Sequence, residues 1–222
     1  MKKGNIKFSS KKKLVILGAG ELGEQISHYA MLDGRYDVVG FLDDTKEKGV
    51  QCAGSSVLGK MEELEILYHQ NVFDYVFIGI GYAHFEFKAF LYKKVKNSNI
   101  PLATIIAPHV YIDPTAAIGA GVILYPGCVI DKDAVVEDNV VINLNVVVAH
   151  NSIVGKHSFI AGGAILAGYA KVGECCFLGV NSVINDHKYI GDNIIISSQT
   201  IVSKNIKAAG TYFNDNRRLY RF

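Results

Sequence analysis

The sequence predicts two architectures in one chain: an α/β unit with a parallel sheet over residues 1–103, then an all-β solenoid of hexapeptide repeats over 104–205, with a tail at 206–222. Three observations carry this expectation. Every sixth residue from Ile106 to Val202 is aliphatic, seventeen positions with no polar residue and no slip of phase. The first hundred residues alternate short apolar runs with helix-like segments. A glycine pattern, Gly18-Ala19-Gly20-Glu21-Leu22-Gly23, joins the first apolar run to the first helical one.

The first unit reads in order. Residues 13–18 form a buried strand and residues 21–32 a helix with Leu22, Ile26, Tyr29 and Ala30 on its apolar side. A second strand, 37–42, ends at Asp43-Asp44, and a helix follows near 60–70. A third strand, Tyr75–Gly79, leads to Ile80-Gly81, then an aromatic-rich helix at 84–96 and a last strand at Pro101–Ile105. Alternating β and α segments indicate a parallel sheet with helices on its faces. The glycines satisfy GxGxxG after a strand and before a helix, where a tight turn presents backbone N–H groups and a helix N-terminus to phosphate. Asp43 lies where an acidic residue can meet a ribose or a base edge. At about 100 residues, the unit is half of a dinucleotide-binding fold. It therefore reads as a Rossmann-like half domain suited to a nucleotide-sugar, with Gly18, Gly20, Glu21, Leu22, Asp43, Asp44, Gly79 and Gly81 as candidate ligand contacts.

The second unit follows from its period. Six fits neither a helix nor an alternating strand. It fits a solenoid whose coils have three flat faces, eighteen residues per coil, with each aliphatic residue inward and stacked on its counterpart one coil away. Ile112, Ile130, Val148, Leu166 and Ile184 should form one column. Small or β-branched residues two positions earlier, such as Ala134, Val146 and Ser152, fit the corners. The residue just after each aliphatic position, often Gly, Asp or Asn, is expected to take the unusual backbone angles.

Composition narrows the class. A net charge of +2 over 222 residues argues for no nucleic-acid partner. Lys2, Lys3 and Lys11–Lys13 read as a solvated lead-in. No apolar run has membrane-spanning length and no signal-peptide core is visible, so a cytoplasmic protein is expected. Cys52, Cys128, Cys175 and Cys176 form no CxxC pair and read as packing thiols, the last two facing opposite sides of a strand. No metal is expected.

The chemistry should lie near His150, two residues beyond the inward Val148 and so at a coil corner. A neutral imidazole there can take a proton from an attacking amine or hydroxyl. From about residue 13 to 205 the chain resembles the sialic-acid O-acetyltransferase and nucleotide-aminosugar N-acetyltransferase family, of NeuD/PglD type. The resemblance rests on Gly18–Gly23, on Phe41-Leu42-Asp43-Asp44, and on the segment from Ile142-Asn143 through His150 to Val154-Gly155. It implies a left-handed β-helix and a homotrimer with acetyl-CoA between adjacent prisms and the nucleotide-sugar on the N-terminal unit. It also implies His150 as base, Asn143 on the acceptor side, and the Gly168 N–H, beside Ala167, on the thioester carbonyl. The reaction implied is acetyl transfer to the amine of a nucleotide-linked 4-amino-4,6-dideoxy sugar in bacterial glycan synthesis.

This sequence departs from the family pattern at three places. Asn151 stands where many members carry an acidic residue that orients the histidine. Phe159 aligns with a histidine near acetyl-CoA in some members, and His157, if on the same strand face, could substitute. The ending Thr211–Arg218 is atypical, with Arg217 and Arg218 as candidate phosphate contacts. Three rival functions are weighed: O-acetylation of sialic acid or a related sugar, a zinc site built from His150, His157 and His187, and a non-catalytic nucleotide-binding scaffold.

Overall fold

The computed structural model describes residues 11–215 and 218–221. Its N-terminal unit is a five-stranded sheet in the order β3-β4-β2-β1-β5. The strands are β1 (Lys12–Leu17), β2 (Tyr36–Leu42), β3 (Gln51–Cys52), β4 (Ser55–Gly59) and β5 (Tyr75–Ile78). The helices are α1 (Glu21–Asp33), α2 (Leu64–His69) and α3 (Phe85–Asn97). β1 pairs in parallel with β2 and β5. Alternation along β1 serves two cores. Leu14 and Ile16 join the larger core, which continues into the solenoid, whereas Val15 and Leu17 pack with Leu64, Phe73, Leu91 and Val95.

Two local expectations need correction. The hairpin β3–β4 is antiparallel and extends the sheet beyond β2; its polar Gln51, Ser55 and Ser56 carry little strand signal. Residues 101–104 form no full strand, only a bridge from Leu102 to Val76, and Ile105–Ile106 is already the first rung of the solenoid.

From Ile105–Ile106 to Ile201–Val202, seventeen short strands form three parallel sheets. Face one starts at Ile105–Ile106, face two at Tyr111–Ile112 and face three at Ala117–Ile118. Strands pair with those eighteen residues away, so Ile130, Val148, Leu166 and Ile184 stand in one column. From Leu124 to Val202 every inward aliphatic residue is buried. The corner residues Ala134, Val146, Ser152, Ala164 and Ser182 are fully buried too.

The unusual backbone angles occur three residues after the inward position, not one. Asp133, Asn139, Asn145, Asn151, His157, Tyr169, Cys175, Asn181, His187 and Asn193 all have positive φ. A four-residue corner needs one left-handed residue to redirect the chain, and Asn and Asp tolerate it by bonding locally. Cys175 is one of these turn residues, so it and Cys176 do not face opposite sides of a strand; Cys176 is a buried corner residue. The last strands, β23 (Gly210–Asp215) and β24 (Arg218–Arg221), make a hairpin added to face one. Arg217 lies outside the described residues, and the Arg218 side chain is not described. Among the described residues no helix is long and apolar enough to cross a membrane.

Two substitutions test this architecture by denaturant unfolding. Ile142→Ala should cost about 2–5 kcal/mol by opening a cavity in the fully packed prism. Asn145→Ala should cost about 1–2 kcal/mol through its left-handed angle, with Asn145→Gly far milder.

Candidate active site

At the carboxyl edge of the N-terminal sheet, β1 leads into Gly18, whose φ of +100° suits only glycine. A side chain at Gly23 would stand 2.0 Å from the Gly18 carbonyl, so this glycine lets α1 pack on the turn. Gly20 has open space beside it. Asp43, expected to face a ligand, borders a groove at this edge and is also held by the protein on both carboxylate oxygens. Its Oδ2 accepts from the Ala19 N–H at 2.7 Å, and its Oδ1 accepts from Thr45 N–H, Thr45 Oγ1 and Lys46 N–H. Burial would raise this carboxyl, but those hydrogen bonds outweigh it and hold it below the ordinary carboxylate value. Asp43 thus clamps the glycine turn to the loop after β2.

Asp44 is exposed and, with Asp43, lines a groove of about 290 Å³ together with Gly18, Thr45, Met61, Ile80, His84 and Phe87. His84 and Phe87 also line an adjoining cleft of about 610 Å³, closed on the prism side by Cys175, Asn193 and Ile195. Leu22 packs against the core, whereas Glu21 points into a separate depression with Glu24 and His28. Gly79 backs onto Ile16 and Leu17, and Gly81 caps the turn Tyr82–His84.

His150 stands exposed on the second corner of the prism, between faces two and three. Its Nδ1 lies 3.2 Å from Asn151 Oδ1. With that oxygen accepting, Nδ1 carries the proton and Nε2 keeps its lone pair. Gly168 is the residue one coil on. A methyl group there would stand 2.6 Å from His150 Nε2, so a side chain at this position would push the ring out of its present place. The Gly168 N–H donates to nothing among the described residues, while its carbonyl accepts from His187 N–H at 3.0 Å. The corner therefore pairs a lone-pair nitrogen with a free backbone donor. That pairing suits proton abstraction beside a developing oxyanion.

Of the residues expected at the site, the structure brings together His150, Asn151, Gly168 and Ala167. Ala167 is internally engaged, its N–H on Ile184 and its carbonyl accepting from Ser152 Oγ. Asn143 occupies the first corner, between faces one and two, where its Oδ1 accepts from the Leu144 N–H. His157 occupies the third corner, between faces three and one. It is a turn residue with φ 67°, so it does not share a strand face with Phe159. Burial, then Lys88 and Lys156, push its imidazole down to about 4. Phe159 is buried on face one against Tyr82 and Phe177. Within one chain His150, His157 and His187 are not gathered, and no cluster suited to a metal occurs among the described residues.

The N-terminal unit docks on face one and the third corner. The Lys88 Nζ on α3 donates to the His157 carbonyl at 3.3 Å, and burial lowers this lysine to about 7. Tyr92 donates to Asp138, and Tyr29 packs edge-on against Tyr125. Reading motifs alone misses several neighbours of the site. Lys46 donates to the Ala19 carbonyl beside the glycine turn. At the second corner Tyr169 meets His150 edge to face and stacks on His187. Folding the sequence at eighteen residues would have placed Gly168 beside His150, and His187 beside Tyr169.

Residues 13–86 match the family described as the PglD N-terminal domain, and residues 106–212 match the one described as the GMPPB C-terminal domain. No curated protein matches the chain. Among solved structures, the acetyltransferase domain of PglB from Neisseria gonorrhoeae FA1090 aligns at TM-score 0.86 and 23% identity, over 96% of this chain and 100% of that one. PerB from Caulobacter crescentus, solved with CoA and GDP-perosamine, aligns at TM-score 0.85 and 24% identity, over 94% and 97%. WeeI from Acinetobacter baumannii AYE aligns at 0.79 and 19%, over 93% and 99%. The chain thus resembles PglD-type proteins in its N-terminal domain and in its complete fold, a Rossmann-like unit followed by a left-handed β-helix.

Asp43 gives a pH-dependent test. Its depressed folded value means that its stabilisation is full above the unfolded value of about 3.9 and is lost as pH falls through the folded one. Asp43→Asn should lower the melting temperature at pH 7 by a few degrees, corresponding to about 1–3 kcal/mol. The gap to wild type should close on acidification below about pH 4.

Proposed function

We propose that the chain is an acetyl-CoA-dependent N-acetyltransferase acting on the amino group of a nucleotide-linked 4-amino-4,6-dideoxy sugar, in the synthesis of bacterial surface glycan. The observation that carries this is the second corner: His150 with Nδ1 held by Asn151 and Nε2 set over Gly168, whose N–H is free. The whole-chain likeness to PerB, a structure holding CoA and GDP-perosamine, supports the choice of donor and acceptor class.

The thioester carbonyl sits at the Gly168 N–H. The neutral sugar amine attacks the carbonyl carbon while His150 Nε2 takes a proton from the amine nitrogen. The tetrahedral oxyanion accepts from Gly168 N–H. Collapse breaks the carbon–sulfur bond, and the imidazolium returns the proton to the CoA sulfur. The products are an N-acetyl sugar and CoA, without an acyl-enzyme. Asn151 favours the Nδ1–H tautomer for as long as the ring stays oriented toward it.

The nucleotide lies in the groove of Gly18, Asp44 and Phe87, with the sugar directed past His84 into the larger cleft. That cleft opens by the third corner and face one of its own chain, whereas His150 is on the second corner. A complete site therefore combines the groove of one copy with the corner of another, as in a homotrimer. Face two supports such packing, since Tyr111, Ile165 and Ile201 point outward with 39–54% exposure. By this reading Asn143, on its own corner, reaches an acceptor held across a subunit boundary.

His150→Ala should lower kcat by about 100- to 10,000-fold in an assay of CoA release with nucleotide-4-amino sugars, with nucleotide-sugar binding intact. Near wild-type turnover in that variant would remove His150 as the base. Free sialic acids in the same assay should release no CoA.

A further inference from the structure

We propose that Tyr169 is a positioning residue for His150, its ring supplying the orientation and charge stabilisation that a neighbouring carboxylate would give. The proposal rests on the reading of His150 as the general base.

A base that becomes imidazolium needs something to favour the cation. Asn151 cannot do this as a carboxylate can. Among the described residues no carboxylate contacts His150. On the coil before it, Lys132 and Asp133 satisfy each other at 2.6 Å. On the coil beyond Tyr169 come Asp186 and His187, which neither bond to nor stack on His150. What does meet His150 is the Tyr169 ring, with centroids 5.4 Å apart and planes at 88°.

Tyr169 is itself fixed. Its N–H donates to the His150 carbonyl at 3.0 Å, and its ring stacks on His187 at 4.7 Å with planes 6° apart. His187 lies one coil after Tyr169 and His150 one coil before it. One face of the tyrosine ring is therefore covered by His187, and His150 meets the same ring perpendicularly from the neighbouring coil. An edge-to-face contact of this kind directs polarised ring hydrogens at π-electron density, and the attraction grows when the edge belongs to a cation.

The choice of tyrosine here is also unusual on local grounds. Tyr169 has φ 59°, at the left-handed turn position that this chain fills most often with asparagine (Asn139, Asn145, Asn151, Asn181 and Asn193) and elsewhere with Asp, His, Cys, Gln or Gly, never with another aromatic larger than histidine. A bulky aromatic in the left-handed region carries a conformational cost that asparagine largely avoids. The ring stays 46% exposed, so burial returns little of that cost. Contact with His150 and His187 is what the tyrosine gains.

The test compares Tyr169→Asn, which suits the turn but removes the ring, with Tyr169→Phe, which keeps the ring and loses the hydroxyl. Both are made in the full chain and read by kinetics and by nitrogen-15 imidazole spectra. Tyr169→Asn should lower kcat about 3- to 10-fold with KM for both substrates unchanged, and move the acidic limb of kcat/KM about half a unit to lower pH. Its spectra should show mixed His150 tautomers. Tyr169→Phe should stay within about twofold of wild type with one tautomer. Unchanged kcat, pH profile and tautomer in Tyr169→Asn would overturn the proposal, as would equal losses in both variants. Full turnover in His150→Ala would instead overturn the base assignment, and the spectra would still report whether Tyr169 orients the ring.

Discussion

Closure of one coil every eighteen residues governs the rest of this molecule. Three hexads each place one aliphatic side chain inward, and a left-handed residue at all but one of the corners between rungs turns the chain to the next face. The chain then passes the same point one rung on, and residues eighteen apart are obliged to touch. Packing inside the prism leaves little freedom to shift this register, since a slip would move buried aliphatic residues out of their columns. Chemistry on such a scaffold is written in columns. His150 over Gly168 is one, and Tyr169 over His187 is another. The absence of a side chain at position 168 matters because the histidine one coil earlier occupies that space.

The second constraint is the seam between the two units. Tyr29, Tyr82, Lys88 and Tyr92 seat the N-terminal unit on face one and the third corner. A lysine buried to 1% exposure with a single carbonyl partner is a costly contact. It nevertheless ties α3 to a turn of the prism and so fixes where the groove opens. The groove and the histidine corner then lie on different sides of the same prism. Under the proposed activity, which needs both, a second copy supplies the missing half.

Much of this was legible in the chain. The hexad series, the glycine turn and the strand–helix alternation gave the architecture of both units, because each is a local signal. What escaped depends on relations the linear order hides. Asp43 read only as a ligand contact, and the four hydrogen bonds that make it also a clamp between loops carry no signal in the linear order. His157 and Phe159 looked like neighbours on one strand face; a corner separates them. The left-handed residue was assigned two places too early because Gly and Asp also follow the inward position for packing reasons. Asn143 and His150 are seven residues apart in sequence yet sit on successive corners, while His150 and Gly168, farther apart, are in contact.

In the proposed reaction, one copy's second corner and another copy's nucleotide groove form a single acyl-transfer site. A crystal structure of the protein with CoA and a nucleotide-linked 4-amino sugar tests it most directly. The account predicts the sugar nitrogen within about 3 Å of His150 Nε2. It places the CoA sulfur beside the Gly168 N–H and the nucleotide on a different copy. A sugar nitrogen remote from every His150, or CoA bound away from the second corner, would contradict it.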